Sequence, residues 1–201
     1  MSFPYRVKLK ESVSETVSDS DMTRQKIALE EILTEDDMRG IFKQKLEDQG
    51  FSEEEDGTLT KTRETGEKQI ADLETMEVTT ELEMSQEVSM GREVSVRANR
   101  DSDRMSKKEK ERFKKKAKEE LRAKLERQVK QQAKEREGTM VKEIADKLEA
   151  SREERTRELN EAVMETYKEA LQRKAQSLGS VESISEGSDG DDYEMRIRIT
   201  E

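Results

Sequence analysis

Between Met76 and Ala98 the apolar residues fall on even positions: Met76, Val78, Thr80, Leu82, Met84, Val88, Met90, Val94, Val96 and Ala98. Mostly charged residues, Ser and Thr lie between them. A period of two gives a strand one apolar and one solvated face, as in an antiparallel sheet covered on one side. The run is too long for one ordinary strand, and Gly91 is placed to divide it in two. The chain opens the same way: Tyr5, Val7 and Leu9 alternate with Arg6, Lys8 and Lys10, and Phe3 and Pro4 stand at the strand start, where proline is tolerated. It closes the same way. Val181 and Ile184, a loop at Gly187-Ser188-Asp189-Gly190, and Tyr193, Met195, Ile197 and Ile199 predict a hairpin. Its last strand turns Glu194, Arg196 and Arg198 outward.

Elsewhere the period is helical. Met38, Ile41, Phe42 and Leu46 form one face, preceded by Thr34 as cap and Glu35, Asp36 and Asp37 in the first turn. Gly50 ends this helix, with Phe51 folding back on Leu46. Asp56-Gly57 is a turn signal, and Gly66 closes an earlier hairpin ahead of Ile70 and Leu73. The stretch from Ser12 to Thr23 reads as a polar connection, and Ile27, Leu29, Ile32 and Leu33 as a short helical or irregular segment. Ser106 and Glu109 match a capping box for a long helix to about Glu137. Its apolar residues, Phe113, Ala117, Leu121, Leu125, Val129 and Ala133, are spaced by four, a thin seam that drifts around the helix. Gly138-Thr139 is read as an interruption. A second helix then runs from Met140 to Leu178, with Val141, Ile144, Leu148, Leu159, Ala162, Val163, Tyr167, Leu171 and Leu178 among its stripe. The charged interval from Glu149 to Glu158 predicts poor or wet packing. Gly179 is read as a second left-handed helix end.

The expected architecture is α+β. A small antiparallel sheet carries one packed helix, and two long charged helices, as an arm or a helical hairpin, are inserted before a C-terminal β-hairpin. Three regions follow: 1–101, a strand–helix–sheet region; 102–179, the charged helical arm; and 180–201, a hairpin completing the first region's sheet.

Composition narrows the chemistry. The 201 residues contain no His, Cys or Trp, 44% are charged, and 30% are hydrophobic. The usual neutral-pH proton shuttle, thiolate nucleophile and zinc ligands are therefore missing. One proline and nine glycines, with clear apolar periods, argue against a disordered chain. No apolar run reaches the roughly 20 residues that span a bilayer, and the start of the chain lacks a signal-peptide core, so the expectation is a cytoplasmic protein without a membrane partner. The net charge of −10 hides a split: Arg104 to Arg136 holds 15 Lys/Arg against 6 Asp/Glu, a local +9, leaving −19 elsewhere.

That basic helix presents Lys107, Lys108, Lys110, Arg112, Lys114, Lys115, Lys116, Lys118, Arg122 and Lys124. Such a surface neutralises phosphates without reading sequence. Glu109, Glu111, Glu119 and Glu120 alternate with it, and Phe113 is its one aromatic, so a solvated helix laced by i,i+4 pairs is the plainer reading. Asp189, Asp191 and Asp192 around Gly190 lack the spaced glutamate of a calcium loop and read as a turn. Gly66-Glu67-Lys68 has the end of a phosphate loop without its earlier glycine. Met76, Met84 and Met90 fill a sheet face or form an adaptable docking face. No cofactor or metal is expected.

The order of elements also carries a resemblance. A strand from Phe3 to Leu9, a helix ending Gln49-Gly50-Phe51, a charged sheet segment with Ala71-Asp72-Leu73, and a long helix ending at Gly179 lead to Met195-Arg196-Ile197-Arg198-Ile199. In this layout the chain resembles the small accessory proteins encoded beside FtsH-type AAA+ ATPases in bacterial FtsH ternary systems. It is distantly similar to a small family of cyanobacteria and plastids that accompanies another AAA+ protein. The resemblance covers most of the chain, rests on layout and transfers no functional residue. It implies a non-catalytic component working with an AAA+ partner in a stress or conflict system.

The reading is a non-catalytic interaction or adaptor protein with a protein partner, an AAA+ ATPase foremost. A second copy pairing through the long helices is a further candidate, and a nucleic acid or other polyanion held by the basic helix is the alternative.

Overall fold

The computed structural model describes residues 4–189 and 192–200, without the side chains at 100, 101, 186, 188, 189 and 192–194. Phe3, the Gly190–Asp191 part of the closing loop, and the side chains of Tyr193 and Glu194 lie outside the described residues. The elements follow as β1 (Pro4–Lys26), α1 (Glu35–Asp48), β2 (Ser52–Glu53), β3 (Leu59–Thr62), β4 (Lys68–Asp72), β5 (Glu77–Asp101), a 3-10 turn (Ser102–Arg104), α2 (Lys107–Ala150), α3 (Arg152–Leu178), β6 (Ser180–Asp189) and β7 (Asp192–Thr200). The fold is α+β, with an antiparallel sheet in the order β1-β5-β4-β3-β2. The closing hairpin was expected to complete that sheet; among the described residues β6 and β7 pair with each other as a separate two-stranded ladder.

The strands are longer than their sequence suggested. β1 continues through the polar stretch to Lys26, and β5 runs unbroken past Gly91. Each supplies the other's backbone partners, and that pairing is indifferent to side-chain polarity. Gly91 sits in the strand, in ordinary contact with Glu11 and Ser12, and makes no turn.

The helical break also moves. α2 passes through Gly138 without interruption. A helix-interior glycine costs only about 1 kcal/mol against alanine, and here Met140 is fully buried and Arg136 holds Glu143 through 2.6 and 2.9 Å bonds. The division falls at Ser151, whose Oγ lies within hydrogen-bond reach of the Lys147 and Leu148 carbonyls, at 3.0 and 3.3 Å. Such back-bonding competes with the helical ladder. The i→i−4 bonds still reach and leave Ser151, at 3.1 and 3.0 Å.

Buried positions along α2 and α3 settle into steps of eleven. One row is Val129, Met140, Ser151 and Ala162; another is Ala133, Ile144, Arg155 and Thr166. Eleven residues make three turns at 3.67 per turn. Most of the expected stripe is buried, Ile144, Leu148, Leu159, Ala162, Ala170 and Ala175 among it, but Met140 is buried where Val141 is half exposed, and Leu178 is well exposed. A Cβ on Gly179 would meet the Thr200 carbonyl at 2.6 Å, and this glycine stands in extended backbone in place of the expected left-handed helix end.

The chain divides into two compact units. The first comprises Met1–Ser20 with Glu83–Ile144. In it the α2 seam is covered by the chain's own strands: Ala117, Leu121 and Leu125 pack on Val7 and Leu9, flanked by Tyr5, Val13, Met90, Val94, Val96 and Phe113. The capping box forms, with the Glu109 carboxylate accepting from Ser106 N at 2.8 Å and Glu109 N donating to Ser106 Oγ at 3.3 Å.

The second unit comprises Asp21–Leu82 with Ala145–Glu201. α1 is capped by Thr34 and closed by Gly50 at φ +92°, with Phe51 N bonding Leu46 O at 3.0 Å. Phe42 and Leu46 of α1, Leu159 and Ala162 of α3, and Leu59, Ala71 and Val78 of the sheet form one core. Tyr167 fastens the irregular segment after β1, its hydroxyl accepting from Glu30 N at 2.9 Å and donating to Ala28 O at 3.3 Å.

Candidate functional site

The turn joining β3 to β4 closes with Gly66 at φ +88°, a conformation that favours glycine. Arg63 N bonds Glu67 O at 2.8 Å across it. Glu67 therefore enters β4 with its carboxylate under α3, completely buried. From α3, Ser151 and Arg155, one turn apart, reach the same point. Ser151 Oγ donates to Glu67 Oε1, Arg155 Nη1 donates to Ser151 Oγ, and Arg155 Nη1 also lies 3.4 Å from Glu67 Oε1. Arg155 Nη2 donates to the Leu148 carbonyl at 2.9 Å and faces Thr23 Oγ1 at 3.4 Å. Within the interval expected to be wet, Ser151 and Arg155 are buried, while Glu149, Arg152, Glu153, Glu154 and Arg157 are exposed.

A second tier surrounds it. Arg63 Nε stands 3.7 Å from Glu67 Oε2, which has no hydrogen-bond partner. The rest of the Arg63 guanidinium holds Glu158 at 2.6 Å and Glu154 at 2.8 Å, and Lys61 reaches Glu158 at 3.4 Å. Beside the cluster is a cleft of about 450 Å³, lined by Thr23, Arg24, Thr80, Arg152, Arg155 and Thr156 among others. Ser151 beside a carboxylate superficially resembles an activated nucleophile. Its hydroxyl is buried and engaged with Glu67 and two carbonyls, so this serine faces no solute. What the arrangement does is lock α3 onto the β3–β4 turn.

A further charged contact joins α1 to α3. Glu169 accepts from Lys45 at 2.8 Å and Arg173 at 2.5 Å. The Lys45 hydrogen bond, more than that of Arg173, holds the Glu169 carboxyl below its ordinary range. Asp72 is likewise lowered, by the hydroxyl and amide of Thr75.

The ten basic residues singled out on α2 do not gather in a concave site. Nine are exposed, and Lys110 is half-buried, its ammonium 5.4 Å from the Tyr5 ring centre. Lys118 pairs with Glu11 at 3.1 Å, Arg122 with Glu126 at 3.0 Å, and Lys115 and Lys116 with Glu119 and Glu120 at 4.0 Å. Lys107, Lys108, Arg112, Lys114 and Lys124 make no ion pair among the described residues. Phe113 packs edge-on against Tyr5 and offers no stacking platform. Met76, Met84 and Met90 are half-buried.

Sequence reasoning missed Glu67, Ser151, Arg155 and Arg63. A signal existed for two of them, since Ser151 and Arg155 continue the buried spacing of Ile144 and Leu148. Glu67 gave no such signal.

Fold and site define an α+β protein whose buried charges tie a helix to a sheet. No helix among the described residues is long and apolar enough to cross a membrane. The chain belongs to the family described as FtsH ternary system domain X5, whose model matches residues 1–200. Comparison with curated proteins and with solved structures gives no match.

Proposed function

We propose that this chain is a non-catalytic adaptor in the cytoplasm, an accessory component that binds a protein partner in a system built on an FtsH-type AAA+ ATPase. The observation that carries the reading is the family match over residues 1–200. The lack of His and Cys, and a buried carboxylate occupied by Ser151 and Arg155, support binding over catalysis. The test is capture by the tagged full chain from nuclease-treated host lysate, with and without ATP. Recovery of an FtsH-type ATPase is the expected result. Its absence in both nucleotide states overturns the reading.

Lys107, Lys108, Arg112, Lys114 and Lys124, which make no ion pair among the described residues, favour a second reading, in which the exposed face of α2 holds a nucleic acid or other polyanion. It predicts salt-dependent retention on nucleic acid that is lost when Lys114, Lys115 and Lys116 are all replaced by Glu. No retention at low salt ends it.

A further inference from the structure

β1, β5 and α3 leave between them the cleft of about 450 Å³, with every lining residue in the second unit. Thr23 reaches it from β1, Thr80 from β5, and Arg155 and Thr156 from α3. Thr80 stands in the inward row of β5 between Val78 and Leu82 and is 4% exposed, a place where valine would have the same shape. Its hydroxyl makes no hydrogen bond among the described residues. Buried polar groups in folded proteins are hydrogen-bonded, so the partner of this hydroxyl is something that enters the cleft. Thr156, half-buried, likewise leaves its hydroxyl without a partner among the described residues. Arg155 adds a third donor. Its Nη2 uses one N–H on the Leu148 carbonyl at 2.9 Å, and the other meets Thr23 Oγ1 at 3.4 Å, long for such a bond. Glu67 and Ser151 hold this guanidinium in place, so it is ordered before anything binds.

The mouth of the cleft is cationic. Arg24 and Arg152 stand there, their side chains 62% and 69% exposed. Each has an acid nearby, Glu77 at 3.6 Å and Glu149 at 3.4 Å, in exposed pairs that contribute little and yield to a better-placed anion. Glu149 is the one carboxylate on the lining. Donors so outnumber acceptors that the cleft suits an oxyanion. A carboxylate has two oxygens to set against three guanidinium groups and three hydroxyls, whereas a phosphate has at least three and a second charge. The volume falls in the range of about 300–1,000 Å³ typical of small-molecule sites and leaves room for an organic body against Val78 and Leu159. We propose that this cleft binds a phosphate group, free or on a small organic molecule, with Arg155 Nη2 and the Thr80 hydroxyl at its floor and Arg24 and Arg152 at its mouth.

The test is titration calorimetry of the full chain with sodium phosphate and, separately, with glycerol 3-phosphate, at about 0.15 M salt. The expected result is saturable binding at one site with a Kd of about 1 mM or tighter. Tighter binding of the ester assigns an organic phosphate, and equal or weaker binding assigns the free ion. Thr80→Val keeps the side-chain shape, removes the hydroxyl and weakens binding about tenfold. Arg24→Gln with Arg152→Gln weakens it further. Lys107→Gln with Lys108→Gln, on the exposed face of α2, leaves it unchanged. No saturable heat with either probe overturns the proposal and leaves the cleft to water. Binding that falls with the Lys107 and Lys108 changes and ignores Thr80→Val overturns it in favour of α2. Binding that ignores every one of these variants overturns it in favour of another surface.

Discussion

The two units share a charge-rich composition and solve burial differently. In the first, one helix lies on paired strands, and its apolar row closes along its length: Ala117 and Leu121 are each 8% exposed, Leu125 is 1% exposed and Val129 fully buried. In the second, α1 and α3 both pack on the sheet, and Phe42, Leu46 and Leu59 fall to 1% or below. Among the described residues, only the second encloses a buried ion pair, Glu67 with Arg155. The second unit thus adds a buried ion pair to its apolar core, whereas the first is held by apolar contacts along one helix.

This contrast breaks most readily at Phe42. Phe42→Ala costs about 3–5 kcal/mol, read as a lower urea midpoint. Hydrogen exchange should rise in α1, β3 and β4 ahead of the Phe113–Ala133 stretch of α2. Simultaneous loss of protection in both would erase the distinction. Next comes the ionic core. Arg155→Ala leaves Glu67 buried without its cation and costs about 3 kcal/mol, whereas Glu67→Met with Arg155→Met returns most of that loss. A double variant as unstable as the single one shows that shape, not charge, holds α3 there. In the first unit, Leu125→Ala costs about 2 kcal/mol, with exchange rising along α2 and β1. Gly138→Ala has open space around the new methyl and should raise the midpoint by the equivalent of about 1 kcal/mol.

Acid provides the mildest probe, aimed at the second unit. Glu169 has its folded pKa lowered by Lys45 and Arg173 from an ordinary 4.5. Its stabilising contribution is complete above that value and fades as pH falls through the lowered one. Glu169→Gln should flatten the acid limb of stability against pH and leave the curve near neutrality parallel to wild type.

Local chemistry was legible in the sequence, and distant pairing was not. α1 could be placed nearly residue by residue because Thr34, Gly50 and Phe51 act within their own turns. The hairpin at Gly66 and the capping box at Ser106 were legible for the same reason. The lengths of β1 and β5 were hidden, since each strand is sustained by the other across a polar sequence. Gly91 and Gly138 carried weight as punctuation that intact ladders overrode. The ionic core was hidden by separation: Glu67 and Arg155 stand 88 residues apart, and 49 acidic residues offered no reason to choose Glu67.

The eleven-step spacing of buried positions on α2 and α3 makes the helix a ruler as well as a wall. Removing or adding eleven residues returns each side chain to the same face, whereas a change of five turns it about 130° away. Relatives of different length in this segment should therefore differ by three whole turns, carrying the apolar row past the join at Ser151 in phase.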